Sequence, residues 1–175
     1  FVRLMDWLFA RGLPVAHALA DNNTKTLHTL SGKPALLFPR LAGQHPRSMT
    51  VAQCRAIGDF LSRMHAVSGG YPEQRVNPRG TAWMCAARER LAVGLDTEQL
   101  ALLDAQIANA KQLRALNLPT GLIHGDLFHD NALYEGDALC GVIDFYNACT
   151  DLLAWDLAIV INDWCALPDG GIDSA

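Results

Sequence analysis

HGDLFHDN at residues 124–131, followed by GVIDFY at 141–146, decides the reading of this chain. Asp126 precedes Asn131 on one loop, and Asp144 follows after a short hairpin. A loop carboxylate directly after a short apolar strand is placed to meet a hydroxyl group and take up its proton. An amide oxygen and a second carboxylate, arriving in that order, are hard donors of the kind that hold a magnesium ion bridging nucleotide phosphates. Each residue alone also suits a turn whose side chain bonds its own backbone. The three in order, on a loop and at strand ends, favour phosphoryl transfer from MgATP, with Asp126 as the catalytic base and Asn131 and Asp144 as metal ligands.

The neighbours carry weaker signals. His124 precedes the base by two residues, and its imidazole reads as packing that holds the loop in shape. His129 and Asp130 lie inside the loop and suit contact with substrate or phosphate. Together with His124 and Asp126 they also admit a transition-metal cluster of hydrolase type. That alternative leaves Asn131 and Asp144 unexplained. Asp156 sits in a mostly apolar helical stretch, where a carboxylate needs a partner. It reads as an acceptor for main-chain N–H groups of the catalytic loop, against the plainer possibility of a solvent-facing aspartate. Phe38 and Arg40, in FPRL at 38–41, fall in a candidate connector between two lobes, where a nucleotide base is held largely by main-chain groups.

Composition narrows the class. The 175 residues are 50% hydrophobic and 18% charged, which suits a folded soluble domain and not a disordered chain. A net charge of −4 gives no footprint for nucleic acid. The longest clean apolar run, LAIVI at 157–161, is far too short to span a membrane. Five cysteines, an odd number with no C-x-x-C pair, read as reduced thiols in a cytoplasmic protein. The chain starts at Phe1 and stops on a turn-like DGGIDSA at 169–175, so it reads as an internal piece of a longer protein.

Around the motif the pattern predicts helices over residues 1–11, 81–93 and 97–116, and one opening at Thr50 with His65 near its end, before SGG at 68–70. Thr50 with Gln53 three residues on forms a capping box, and Asp96 or Thr97 caps the fourth helix. Residues 26–30 and 35–41 read as a hairpin around SGKP. Short strands are expected at 122–124, 132–134 and 138–143, with a turn at 135–137. Asp151 is expected to cap a last, largely buried helix over 152–165. The only lysines are Lys25, Lys33 and Lys111, none in a plausible strand ahead of the first helix, and no G-x-x-x-x-G-K-[ST] is present. A lysine that steadies the phosphates is therefore expected to precede Phe1.

HGDLFHDN resembles the H-x-D-x-x-x-x-N loop of the aminoglycoside phosphotransferase-like kinases. IDF at 143–145, DLA at 156–158 and IGDFLSRMH at 57–65 are similar to further motifs of that family. DFYNAC at 144–149, with NDWC at 162–165, resembles its bacterial homoserine kinase branch, as do LPV at 13–15 and KPALL at 33–37. The resemblance implies an α+β, protein-kinase-like bilobal fold, truncated to mainly its helical C-lobe. Residues 1–41 would be the end of the small lobe and the connector, and 42–175 the large lobe without its last helices. It also implies ATP, Mg2+ and a small-molecule hydroxyl acceptor, L-homoserine in the narrow branch. Choline, methylthioribose or an aminoglycoside are the acceptors elsewhere in the family. A non-catalytic nucleotide-binding protein is the remaining alternative. Asn162, with Asp163 and Trp164, would shape the acceptor pocket.

Overall fold

Helix α2 (Val51–Ser68) is the axis around which the chain folds. Its apolar residues Ile57, Phe60, Leu61 and Met64 recur at helical spacing and are all buried. Each such side chain contributes roughly 1.5–3 kcal/mol by leaving water. The expected capping box is present: Thr50 Oγ1 accepts the Gln53 N–H and Gln53 Oε1 accepts the Thr50 N–H, both at 3.1 Å. Gln53 Nε2 also donates to the Gly136 carbonyl, and the Tyr134 hydroxyl donates to the Gln53 carbonyl. The start of α2 is thereby fastened to a hairpin further along the chain.

The computed structural model describes residues 1–167 and 169–173. Helix α1 (Val2–Phe9) buries Leu4, Met5 and Leu8 in the same core cluster as the buried face of α2. The hairpin of β1 (His28–Leu30) and β2 (Lys33–Ala35) is shorter than the pattern predicts. Residues 36–41 form no strand; Phe38 and Leu41 pack instead against the main core. Helices α3 (Thr81–Leu91) and α4 (Thr97–Ala115) form a pair, and Asp96 with Gln99 makes a second capping box. Two antiparallel strand pairs follow, β3 (Thr120–Ile123) with β6 (Cys149–Leu152) and β4 (Ala132–Glu135) with β5 (Ala138–Val142). Helix α5 (Ala154–Trp164) closes the order.

Two expectations fail in the last segment. Asp151 does not cap a helix: it lies in β6, with Ile123 opposite Cys149 and Thr120 opposite Leu152. Its carboxylate is buried and accepts from Asn77 Nδ2 at 2.6 Å and Arg114 Nη2 at 2.7 Å. Burial opposes ionisation there, but these hydrogen bonds outweigh it and hold the carboxyl below its ordinary value. This pairing ties α4 to β6. Helix α5 is buried along one stripe only, Asp156, Val160 and Trp164, while Leu157 faces outward. Residues 169–173 turn back so that Ile172 bridges Ala166; residues 174 and 175 of the expected terminal turn lie outside the described residues.

Candidate active site

β3 delivers the chain to a loop that is fixed from beneath by one carboxylate. Asp156 is fully buried on α5. Its Oδ2 accepts the His124 N–H at 2.8 Å and its Oδ1 accepts the Gly125 N–H at 2.8 Å. His65, near the end of α2, donates Nε2–H to the same carboxylate at 3.0 Å. These bonds satisfy a buried charge that would otherwise be costly. They also join α2, α5 and the loop at one point.

His124 is fully buried against the Phe145 ring, with centroids 4.3 Å apart. Its Nε2 lies 2.9 Å from the Ile143 carbonyl, which can only accept, so the proton sits on Nε2. Nδ1 is buried without a hydrogen-bond partner. Burial pushes the imidazole below its ordinary 6.5, against the smaller attraction of Asp156. The folded protein therefore holds His124 neutral, while the unfolded chain takes up a proton there below about pH 6.5. Its contribution to stability is complete above that value and is lost as pH falls through the lower, folded one. The melting temperature is expected to drop as pH falls below about 6.5, and to drop less steeply in His124→Gln. Equal slopes in the two proteins would assign the acid sensitivity to other groups.

Asp126 follows Gly125, whose φ of +75° suits glycine. The Asn131 side chain donates Nδ2–H to the Asp126 carbonyl at 2.7 Å, which commits the amide nitrogen and leaves the amide oxygen as the donor atom available to a cation. The Ile143 N–H donates to the Asn131 carbonyl at 3.0 Å, so Asn131 lies beside the residue preceding Asp144. Asp144 is exposed, with a left-handed backbone at φ 61° and ψ 55°. The loop and the β4–β5 hairpin thus bring Asp126, Asn131 and Asp144 to one edge. An amide oxygen and an exposed carboxylate fit magnesium, which prefers oxygen donors and keeps several waters.

Two cavities flank this edge. One, of about 250 Å³, has apolar walls from Phe38, Pro39, Leu41, Leu133 and Ile143, with Asp144 at its side. The other, of about 320 Å³, lies between α3, α4 and α5 and reaches Gly125; Trp83, Trp155, Arg79 and Arg114 help line it, and among the described residues no carboxylate does. Phe38 therefore borders the Asp144 cavity. Arg40 does not: it lines a separate depression with Gly43 and Glu135.

The remaining candidates separate. His129 is turned to α5, where Asp163 Oδ2 accepts its N–H at 2.6 Å and contacts Nδ1 at 2.9 Å. Trp164 is buried and donates Nε1–H to the Leu127 carbonyl at 3.0 Å, holding the loop instead of shaping a pocket. Asp130 and Asn162 are exposed and line neither cavity. Among the described residues no group of three His, Cys, Asp or Glu is placed to hold a metal, which removes the support for a hydrolase cluster. The Cys149 thiol is pushed up to about 11, chiefly by burial, so it is no nucleophile at neutral pH. No described helix is long and apolar enough to cross a membrane. Sequence reasoning gave no role to Asn147 and Arg75, which surround Asp126 and the turn after Asp144.

The pattern of the phosphotransferase enzyme family matches residues 1–175. Homoserine kinase of Pseudomonas aeruginosa PAO1 is 44% identical over 177 residues, covering 100% of this chain and 56% of that protein. Homoserine kinase of Methylobacillus flagellatus is 41% identical over 174 residues, covering 99% of this chain and 54% of that protein. The chain spans about half the length of the curated relatives it matches. Among solved structures, amicoumacin kinase hAmiN in complex with AMP-PNP, Ca2+ and Ami superposes with a TM-score of 0.70 at 19% identity, covering 91% of this chain and 51% of that one. An aminoglycoside-3'-phosphotransferase of type VIII gives 0.70 at 19%, covering 97% and 65%. At that identity the structures establish the shared α+β, protein-kinase-like fold and nothing of the substrate. With the family's pattern running its whole length over that fold, the chain belongs to the phosphotransferase enzyme family (APH).

Proposed function

We propose that the full-length protein is a cytoplasmic enzyme that transfers the γ-phosphoryl group of ATP to the hydroxyl of L-homoserine. The observation that carries the acceptor is the identity of 41–44% to homoserine kinases across nearly the whole chain. The walls of the cavity beside Gly125 add support. They carry Arg79, which pairs with no described carboxylate, and no acidic side chain. Such walls suit an acceptor bearing a carboxylate and disfavour a polycationic aminoglycoside. In this reading residues 1–41 end a small lobe and its connector, and 42–175 form the large lobe.

The nucleotide base lies in the apolar cavity under Phe38, with Asp144 toward its phosphates. Asn131 and Asp144 would hold magnesium, which when bound would offset charge on the phosphates. Asp126 aligns the acceptor hydroxyl and accepts its proton as the oxygen bonds to the γ-phosphorus and ADP leaves. Asp156 and His65 keep the loop in register. Catalysis is then positioning joined to electrostatic stabilisation.

The test is ADP release by the full-length protein with MgATP and, separately, L-homoserine, choline, methylthioribose and kanamycin. Turnover with L-homoserine alone is the expected result. Turnover with another member of the panel overturns the acceptor, and turnover with none overturns the proposed reaction.

A further inference from the structure

The turn after Asp144 reaches across and grips the carboxylate of Asp126. Asn147 Nδ2 donates to Asp126 Oδ2 at 2.8 Å. No other described side chain bonds that carboxylate, so Oδ1 is left open. Asn131 restrains the main chain of Asp126, whereas Asn147 restrains its side chain. A carboxylate is broad in its last torsion, and without a second contact its plane is free to swing.

We propose that Asn147 is a positioning residue: its amide fixes the Asp126 carboxylate so that Oδ1 faces the acceptor hydroxyl. The inference rests on Asp126 being the base. An amide suits the task because it orients the carboxylate without pairing its charge.

The surroundings of Asn147 are built to hold it still. Phe145 begins the turn and is buried against His124. The Ala148 N–H closes the turn on the Phe145 carbonyl at 3.0 Å. Arg75 Nη1 donates to the carbonyls on either side of Asn147, Tyr146 at 2.8 Å and Ala148 at 3.2 Å. Arg75 is itself clasped by Thr150: its carbonyl accepts the Thr150 N–H at 2.7 Å, and its N–H donates to Thr150 Oγ1 at 3.3 Å. On the other side the Asn147 carbonyl lies against Gly125, where a Cβ would approach it to 3.0 Å. The two backbones that carry the contact are therefore packed directly on one another.

The test uses Asn147→Ala and Asn147→Ser in the full-length protein, with whichever acceptor turns over in the panel above. kcat is expected to fall about 10- to 100-fold, as for a reacting group left slightly misplaced. KM for MgATP and the melting temperature are expected to stay near those of the parent. In an Asp126→Ala background, measured in single turnover, Asn147→Ala is expected to add no further loss. Parental kcat in both Asn147 variants overturns the inference. So does a loss that persists at full size without Asp126, or one accompanied by weakened MgATP binding. Parental turnover in Asp126→Ala alone is a separate failure, that of Asp126 as base.

Discussion

Replacing Asp126 by asparagine in the full-length protein is expected to lower turnover by about 10²- to 10⁴-fold while MgATP still binds. The substitution keeps the size of the side chain and removes the carboxylate proposed to accept the hydroxyl proton. The cavity proposed for the nucleotide base is walled by Phe38, Leu41, Leu133 and Ile143, none of which bonds the Asp126 side chain. The check is ADP release together with calorimetric titration of MgATP. Unchanged turnover would remove Asp126 from the chemistry. Lost nucleotide binding would mean instead that its carboxylate shapes the phosphate side of the site.

Asp156→Ala is expected to act on the fold first and on turnover as a consequence. It withdraws the shared acceptor of the His124 N–H, the Gly125 N–H and His65 Nε2 from a fully buried point. Stranding such donors costs about 3 kcal/mol or more, a large part of the roughly 5–15 kcal/mol that holds an ordinary domain folded. Asp156→Asn keeps one oxygen and should fall between the two. Denaturant unfolding of the three proteins measures this directly. A loss below about 1 kcal/mol, a cost ordinary for a single net hydrogen bond, would show that the loop finds other acceptors.

What the sequence made legible was whatever is written within a few residues. Thr50 with Gln53, and Asp96 or Thr97, announce helix starts because capping is a local code; the Thr50 box is present, and Asp96 is the cap of the fourth helix. The spacing of Asp126 and Asn131 was informative for the same reason: the asparagine side chain reaches back to the aspartate main chain within one loop. Strand β6 was hidden because it has four residues and its partner β3 lies far back in the chain. Asp151 misled the reading of that segment, since an aspartate ahead of an apolar run looks like a cap until its partners Asn77 and Arg114 are known. Asn147 and Arg75 were silent for the same physical reason. Their contacts join residues 21 and 71 apart, and no local pattern records such a distance. Phe38 and Arg40 stand two apart in an irregular segment, where no periodicity says which one faces the cavity.

The left-handed backbone at Asp144 sets the chemistry of the chain against its ease of folding. An L-residue held in that conformation forgoes roughly 1 kcal/mol that glycine would recover. Glycine would also delete the carboxylate. Under selection for activity the uncomfortable residue is kept. With Asp144 as the proposed metal ligand, the change that silences the site is also one that relaxes the backbone, so in a copy of the gene freed from that demand the first step of decay would run downhill in free energy. On the proposed role, loss of function at this position would need no loss of fold, and a silent descendant could persist as a well-folded protein with the apolar walls of the cavity beside residue 144 in place.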